Sequence, residues 1–291
     1  MIDLFKRASE TRPDVEGSSI CVWGPQGSPG KTSFAINLAY ELGLEGRNVL
    51  LVDLDTYSST IGQHFGVVDR QPGLAAAARL VGQSRLNQVE LERLSFSYEV
   101  GRGRLTVLAG LGSATRWPEI SAEKAEGLIA VAMQSFDHVI VDVASPLESG
   151  VRQIGGVVER NSAARAAISA CSSVVAIFEP TPIGIGRLAE SFEQLRGIRQ
   201  DSILVANRLR ASALGQRPRQ QVEDAIMQLC RQQVDAFIDA DSDAFDRAQL
   251  ESVPLALIKR SSKARQAIAQ FARLNILKQA GHAHTAVARL D

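Results

Sequence analysis

The chain has 291 residues, of which 45% are hydrophobic and only 5% are aromatic. Its 32 basic residues balance its 32 acidic ones, so the overall charge gives no indication of a nucleic-acid or anionic-membrane partner. The three cysteines form no CxxC pair, which indicates neither a disulfide framework nor a zinc site. No apolar run approaches the roughly 18 residues that span a bilayer, and residues 1–16 contain no signal-peptide core, so a cytoplasmic location is expected.

Short apolar runs alternate with helical patterns along the chain. The runs of strand length lie at 19–23, 48–53, 105–109, 137–142, 173–178, 202–206 and 234–238. The helical patterns lie at 32–44, 73–81, 86–94, 121–135, 160–170, 183–195, 220–232 and 262–279. This rhythm predicts one α/β domain with a doubly wound, mostly parallel sheet flanked by helices. The domain is expected at residues 18–279, between an N-terminal extension (1–17) and a C-terminal tail (280–291), with a Gly-rich, irregular and mobile insertion at 150–159.

The segment GPQGSPGKTS, at residues 24–33, follows the first predicted strand and precedes the first predicted helix. This is the context of a P-loop, in which small residues let backbone N–H groups turn towards phosphate oxygens at a helix N-terminus. Lys31 is expected to reach the β- and γ-phosphates of a nucleotide, and the hydroxyl of Thr32 is expected to bind Mg²⁺. The residues predicted to contact the nucleotide here are Gly27, Ser28, Pro29, Gly30, Lys31, Thr32 and Ser33.

The segment departs from the usual P-loop pattern at two places. Pro25 stands where the pattern has a glycine, and Pro29 has no N–H group to donate to a phosphate. The alternative is therefore a Gly/Pro-rich turn with an incidental Gly-Lys-Thr sequence. The acidic and amide motifs that follow other strands favour a P-loop.

Carboxylates stand at the ends of two other predicted strands. Asp53 ends one strand and is followed by Asp55, while Asp142 ends another, as a Walker-B carboxylate does. Because the carboxyl ends of parallel strands open on the ligand crevice, we expect Asp53 and Asp142 to bind Mg²⁺ with Thr32, partly through water. Lys31, Asp55 and Asp142 are the predicted catalytic residues, with Asp55 positioning a water molecule. Helix capping and solvated turns are the alternative roles for these carboxylates.

Two further segments follow predicted strands. Asn207 and Arg208 come after one of them, where an amide can hydrogen-bond an adenine edge and a guanidinium can stack on the ring. These two residues are predicted to bind the adenine, with a turn asparagine as the alternative. Residues 143–150, directly after Asp142, are expected to be the switch that senses the γ-phosphate.

Together these motifs resemble the MinD/ParA superfamily of deviant Walker-A ATPases over residues 18–278. The likeness rests on the phosphate loop, on Asp53-Leu-Asp55, on Asp142 with the following Leu-Glu-Ser-Gly, and on Asn207-Arg208. Three stretches, WGPQGSPG, DLDTYS and RNSAA, are most similar to the CpaE/TadZ branch of pilus-positioning ATPases, in particular to the actinobacterial CpaE-like proteins.

The resemblance implies a homodimer that buries ATP between two subunits, with ATP or ADP and Mg²⁺ as cofactors. It also implies an ATP-dependent dimerisation switch that positions or regulates a Tad/Flp-type pilus or a secretion apparatus through a partner protein. The family's signature lysine, which crosses the interface to the partner's phosphates, should stand at position 26, where this chain has Gln26. Because an amide carries no positive charge, ATP hydrolysis is expected to be slow or partner-dependent.

Two other functions are consistent with the sequence. The first is chromosome or plasmid partition or septum-site placement, for which the basic stretch from Arg208 to Arg219 could bind DNA. The second is an inactive scaffold that holds its nucleotide permanently. Residues 1–7 and 282–290 are weak candidates for a peripheral membrane contact, so recruitment to the cell pole or inner membrane through a partner is expected instead.

Overall fold

The computed structural model describes residues 17–27, 30–67, 73–153 and 156–278. Within these residues the main sheet has eight strands: β1 (Ser18–Trp23), β2 (Asn48–Leu54), β3 (Phe96–Val100), β4 (Gly103–Leu108), β5 (His138–Val143), β8 (Ser173–Phe178), β9 (Ile203–Leu209) and β10 (Ala236–Asp239). A separate hairpin contains β6 (Val151–Gln153) and β7 (Gly156–Val158). The strand order of the main sheet is β10-β9-β8-β1-β5-β2-β4-β3. All its neighbouring strands pair in parallel except β3 and β4.

Helices cover both faces of the sheet. In chain order they are α1 (Lys31–Leu44), α2 (Ile61–His64), α3 (Gly73–Gly82), α4 (Gln88–Leu94), α5 (Ala122–Met133), α6 (Ser162–Ala170), α7 (Pro182–Ile198), α8 (Ala211–Leu214), α9 (Pro218–Cys230), α10 (Ser242–Glu251), α11 (Leu255–Ile258) and α12 (Lys263–Phe271). One core lies between the sheet and α1, α10, α11 and α12. The other lies beneath α3, α5, α6, α7 and α9. The predicted doubly wound α/β fold is therefore confirmed.

The central strands are apolar on both sides because both faces are covered. All six residues of β5 are buried, and the last five residues of β1 are buried as well. Such continuous apolar runs are typical of parallel strands between two helix layers. The three cysteines, Cys21, Cys171 and Cys230, are free and buried in the core.

Helix α1 is buried along most of its length, because α12 packs on its outer side. The two helices are joined by an ion pair between Glu41 and Arg265, in which Nε of Arg265 lies 2.7 Å from Oε1 of Glu41. Asn37 adds a second connection, because its side-chain oxygen accepts a hydrogen bond from the backbone N–H of Leu255. The C-terminal helices therefore hold in place the helix that begins at the phosphate loop.

Several sequence predictions about individual elements are wrong. Strand β3 was not predicted, because its three central residues are exposed and polar or aromatic at an edge of the sheet. Residues 150–159, predicted to be an irregular insertion, contain the antiparallel β6–β7 hairpin. Helix α10 was also missed. The last helix, predicted as one regular helix over 262–279, is α-helical only over Lys263–Phe271 and continues as a π-helix, Ala272–Leu277. Residue 279 lies outside the described residues.

The position of Asn207 and Arg208 also differs from the prediction. Both residues belong to β9, whose hydrogen bonding continues to Leu209, and do not follow the strand. Arg208 adopts a left-handed backbone conformation with φ of 63°. A non-glycine residue there is uncommon and often marks a functional segment.

The sheet topology gathers the sequence motifs at one edge. Strand β1 lies in the middle of the sheet, between β8 and β5, and β2 lies on the far side of β5. Because these strands are parallel, their carboxyl ends open on the same side. In open α/β sheets, ligands bind outside the carboxyl ends of the strands, where the strand order reverses. The loop between β1 and α1 lies at this place.

Candidate functional site

The loop between β1 and α1 depends on two glycines with left-handed backbone conformations. Gly27 has φ of 75° and Gly30 has φ of 90°. Residues other than glycine rarely adopt this region of backbone conformation, because their Cβ atom disfavours it. Gly30 is the N-cap of α1, and its carbonyl oxygen accepts the first helical hydrogen bond, from Phe34, at 2.8 Å. The backbone N–H groups of the first turn are thus left for an anion. The predicted contacts of Ser28 and Pro29 lie outside the described residues.

Lys31, the first residue of α1, points into the site and not into solvent. Its ammonium group donates a hydrogen bond to the backbone oxygen of Val143. It also lies 3.3 Å from Oδ2 of Asp55 and 3.6 Å from Oδ1 of Asp142. Burial alone would lower the pKa of Lys31, but Asp142 and Asp55 outweigh it, so the pKa lies above its usual value. Lys31 is therefore a buried, charged cation at neutral pH.

Thr32 connects the first turn of α1 to the end of β5. Its hydroxyl group donates a 2.6 Å hydrogen bond to Oδ2 of Asp142. The other oxygen of Asp142, Oδ1, is buried and has no hydrogen-bond partner among the described residues. Burial raises the pKa of Asp142, although the charge of Lys31 opposes this effect. A buried acceptor of this kind is costly unless a further ligand satisfies it.

Asp53 and Asp55 have different environments, although only one residue separates them. Asp53 stands opposite Asp142 in the β2–β5 pairing, and its two oxygens accept backbone N–H bonds from Asp55 and Ile61. Burial, together with the charge of Asp142, raises the pKa of Asp53 to about 8. For Asp55, burial would raise the pKa, but Lys31 and the N–H groups of Tyr57 and Ser58 lower it below the usual value. Asp55 is therefore the ionised member of the pair.

These groups have the chemistry of a magnesium–nucleotide site. Among the described residues, no group of three or more His, Cys, Asp and Glu could hold a metal ion alone. Mg²⁺ typically takes one or two carboxylates and completes its shell with water and phosphate oxygens. The hydroxyl of Thr32 and the carboxylate of Asp142, whose Oδ1 lies 3.6 Å from the ammonium of Lys31, fit that role. Asp53, whose two oxygens already accept backbone N–H bonds, would reach the ion through water. When bound, the ion would neutralise negative charge on the phosphates.

Asn207 lies against the phosphate loop. A Cβ atom on Gly30 would be 2.4 Å from Nδ2 of Asn207, so only glycine allows this close approach. Beyond the carboxyl ends of β9 and β10 is a cleft of about 540 Å³, lined by residues that include Leu209, Arg217 and Asp239. Its volume is in the range of small-molecule sites. The adenine-binding role of Asn207 and Arg208 remains a prediction.

Three residues at the site were not predicted from the sequence to belong to it, although one of them, Arg160, begins the RNSAA stretch. Gly110, after β4, packs on Asp53, because a Cβ atom there would lie 2.7 Å from the carboxyl carbon. Arg160 donates a 2.9 Å hydrogen bond to the backbone oxygen of Thr56 and lies 3.8 Å from the ring centroid of Tyr57. Arg187, on α7, lies against Gly27. Gly110 follows a strand end, which is a usable signal, whereas the positions of the two arginines depend on tertiary packing.

The basic stretch after β9 is partly neutralised in the structure. Arg210 forms an ion pair with Glu179 at 2.9 Å, and Arg219 lies 3.8 Å from Asp239. Arg208 and Arg217 are exposed. In the part of the chain that the structure describes, no helix is both long and apolar enough to cross a membrane.

Comparison with known proteins agrees with this geometry. Residues 20–254 match the family described as the CobQ/CobB/MinD/ParA nucleotide binding domain. Among curated proteins, a sequence search found no match.

Several solved structures share the fold. A ParA family ATPase from Chlorobium tepidum has a TM-score of 0.72 at 16% identity, over 88% of this chain and 99% of its own. The septum site-determining protein MinD from Pyrococcus horikoshii, complexed with Mg-ADP, has a TM-score of 0.68 at 19% identity, over 90% and 97%. MinD in the MinC:MinD cell division complex of Aquifex aeolicus has a TM-score of 0.65 at 18% identity, over 88% and 95%.

The family match covers well over half of the chain, and it includes the phosphate loop, both acidic strand ends and Asn207. The identities to the three solved structures named above are below 20%, so these structures show that the fold is shared and nothing further. The chain is a member of the CobQ/CobB/MinD/ParA nucleotide-binding family and has the ATPase fold of its MinD/ParA proteins.

Proposed function

We propose that this chain is an ATP-dependent dimerisation switch that positions or regulates a pilus or secretion apparatus. One observation carries the switch: the buried ammonium of Lys31 donates a hydrogen bond to the backbone oxygen of Val143, the first residue of the switch segment 143–150. A triphosphate entering the loop would attract Lys31 away from that carbonyl oxygen. The conformation of residues 143–150 would then depend on the nucleotide.

A second contact connects the same segment to β1. The indole N–H of Trp23 donates a 2.9 Å hydrogen bond to the backbone oxygen of Ser145. Trp23 begins the WGPQGSPG stretch on which the similarity to pilus-positioning ATPases rests. The switch segment is therefore held from the phosphate-loop side at two backbone oxygens. This arrangement supports a coupling between nucleotide state and the exposed surface around residues 143–150.

The exposed edge of the site supports pairing of two subunits. Gln26 and Gly27 are exposed, and Ile183, at the start of α7, is 70% exposed. An apolar side chain beside a charged nucleotide site suits an interface that closes when ATP is bound. Because Gln26 carries no charge, we expect hydrolysis below about 1 s⁻¹ without a partner, the low end of the usual enzyme range. We place the protein in the cytoplasm, recruited to its site of action by a partner.

A role in DNA partition or septum placement is the second candidate. It is favoured by the similarity to structures named ParA and MinD, one of them in a complex with MinC, and by the exposed Arg208 and Arg217. The ion pairs of Arg210 and Arg219 count against a strong DNA-binding patch. DNA binding that requires ATP and weakens steeply with salt would favour this candidate over the first. Neighbouring genes for pilins or secretion proteins would favour the first.

The switch itself is tested by measuring molecular mass with light scattering. We expect a monomer without nucleotide or with ADP, and a dimer with Mg-ATP. Lys31→Ala should remain monomeric under all three conditions, provided that its circular dichroism spectrum is that of the folded wild type. A wild-type mass that does not change with nucleotide contradicts the switch. Retained nucleotide without phosphate release would instead support a permanent nucleotide-bound scaffold.

A further inference from the structure

An arginine lies beside the phosphate loop, on an element far away in the sequence. Arg187 is the sixth residue of α7, which follows β8 at the carboxyl edge of the sheet. Its guanidinium group packs on Gly27, because a Cβ atom there would lie 2.4 Å from Nη1 and 3.2 Å from Cζ of Arg187. Gly27 therefore leaves room for this side chain as well as providing the left-handed turn.

The guanidinium of Arg187 has no acidic partner within ion-pair distance among the described residues. This separates it from the other arginine of the same helix. Arg196 pairs with Glu193 at 3.3 Å and donates a hydrogen bond to the backbone oxygen of Cys230. An exposed arginine that contacts a phosphate loop and no carboxylate is suited to bind a phosphate.

Arg187 approaches the loop from its outer side. Arg187, Gln26 and Gly27 are all exposed, whereas Lys31 is buried beneath the loop. The group on the outer side faces whatever covers this edge of the protein. If a second copy covers it, the guanidinium faces that copy's bound nucleotide, next to the uncharged Gln26.

We propose that Arg187 supplies the positive charge that position 26 lacks, by contacting the triphosphate bound in the partner subunit of the ATP dimer. This inference rests on the proposed dimerisation switch. Each arginine would bridge the two subunits through a charge-assisted hydrogen bond to a phosphate oxygen. Such a bond contributes to association and not to ATP binding by the isolated subunit.

The test compares two equilibria in the full chain, neither of which requires hydrolysis. The first is ATP affinity, measured with a fluorescent ATP analogue at protein concentrations where the chain is monomeric. The second is the dimer dissociation constant at saturating Mg-ATP, measured by analytical ultracentrifugation. The variants are Arg187→Gln, Arg187→Lys and the double variant Arg187→Gln with Gln26→Lys. The matched control is Arg247→Gln, which changes an exposed arginine that pairs with Glu251 on α10.

We expect Arg187→Gln to weaken the dimer by at least about 10-fold, as for the loss of a hydrogen bond to a charged group, and to leave monomer ATP affinity within about 2-fold of wild type. Arg187→Lys should retain part of the dimer affinity, and Gln26→Lys should restore it in the double variant, because the charge returns to the same edge. Arg247→Gln should behave as wild type in both measurements.

Three results would decide against the proposal in different ways. An unchanged dimer constant in Arg187→Gln overturns the role of Arg187 while the switch stands. A monomer ATP affinity that falls as much as the dimer constant overturns the contact across the interface, because the arginine would then act on its own subunit's nucleotide. Wild-type protein that binds ATP but never dimerises contradicts the proposed function itself.

Discussion

Thr32 donates a 2.6 Å hydrogen bond to Asp142, so the first turn of α1 is joined to the end of β5. The bond uses one oxygen of Asp142 and leaves the other buried without a hydrogen-bond partner among the described residues. Because Oδ1 lies 3.6 Å from the ammonium of Lys31, a cation can take this oxygen when Lys31 moves towards the phosphates. Because Thr32 stands in the first turn of the helix that follows the phosphate loop, the cation would connect this loop to the switch segment.

Asp142→Asn is expected to remove the Mg²⁺ dependence of ATP binding. The amide keeps a hydrogen-bonding partner for Thr32 but brings no charge to the cation. The factor by which Mg²⁺ raises ATP affinity should therefore be at least about 10-fold smaller in the variant than in the wild type. Titration calorimetry with and without Mg²⁺ measures this difference. Asp201→Asn, at an exposed ion pair with Arg199, is the control. Equal Mg²⁺ dependence in wild type and Asp142→Asn would show that Asp142 is not a metal-binding group.

Lys31→Ala is expected to destabilise the protein as well as to prevent nucleotide binding. Removing the ammonium leaves Asp55 and Asp142 buried without their cation, and breaking a buried ion pair costs about 3 kcal/mol or more. Urea unfolding of the nucleotide-free protein at pH 7.5 measures this loss. The double variant Lys31→Ala with Asp142→Asn should recover part of it, because the number of uncompensated charges falls. If Lys31→Ala is as stable as the wild type, the carboxylates of Asp55 and Asp142 are better hydrated than their burial indicates.

Much of the site could be predicted from sequence because its chemistry is local or follows from strand order. The glycines, Lys31 and Thr32 stand in one short segment, and the strand pattern indicates that Asp53 and Asp142 share an edge. The environments of the two aspartates could not be predicted. Both oxygens of Asp53 accept hydrogen bonds from backbone N–H groups, and the pKa of Asp53 is raised to about 8. Both properties depend on where Ile61 and Asp142 lie.

The elements that were missed share a physical reason. Strand β3 has an exposed middle, so its residues do not form the apolar run of a buried strand. The contact between Arg187 and Gly27 joins residues 160 positions apart and depends on how α7 packs on β8. The composition of the phosphate loop and of α7 does not indicate this packing. Sequence periodicity indicates which side of a helix is buried, but not which loop its exposed side reaches.

Gly30→Ala is expected to lower ATP affinity by more than its backbone strain alone explains. The new methyl group would require a left-handed conformation, which costs about 1–2 kcal/mol, and it would meet Nδ2 of Asn207 at 2.4 Å. Gly46→Ala is a matched control, since Gly46 has a similar φ of 85° with only a 3.9 Å contact. Gly30→Ala should lose at least as much stability as Gly46→Ala in thermal melts, because its methyl group also meets Asn207. Only Gly30→Ala should lose ATP affinity, by at least 10-fold. Equal ATP affinities in the two variants would show that the contact between Gly30 and Asn207 does not contribute to nucleotide binding.

Acid should destabilise the fold through His138, at the start of β5. The ring is 3% exposed, and its Nδ1 lies 2.6 Å from the hydroxyl of Ser18. Burial, with a smaller effect of Arg47, lowers its pKa from 6.5 to about 4. Because the folded pKa is the lower one, the unfolded chain takes up the proton first as the pH falls. Stability is therefore present above pH 6.5 and is lost progressively between pH 6.5 and 4.

For one such group, the free energy of unfolding falls by about 2 kcal/mol between pH 7 and pH 5. Urea unfolding of wild type and His138→Gln at the two pH values measures it. The wild type should lose more stability than the variant by roughly that amount, whatever the absolute cost of the substitution. Burial lowers the pKa of His64 too, so His64→Gln is the control that shows how much of the remaining acid sensitivity belongs to a second histidine. Equal losses in wild type and His138→Gln would mean that the His138 ring is protonated in the fold as easily as in the unfolded chain.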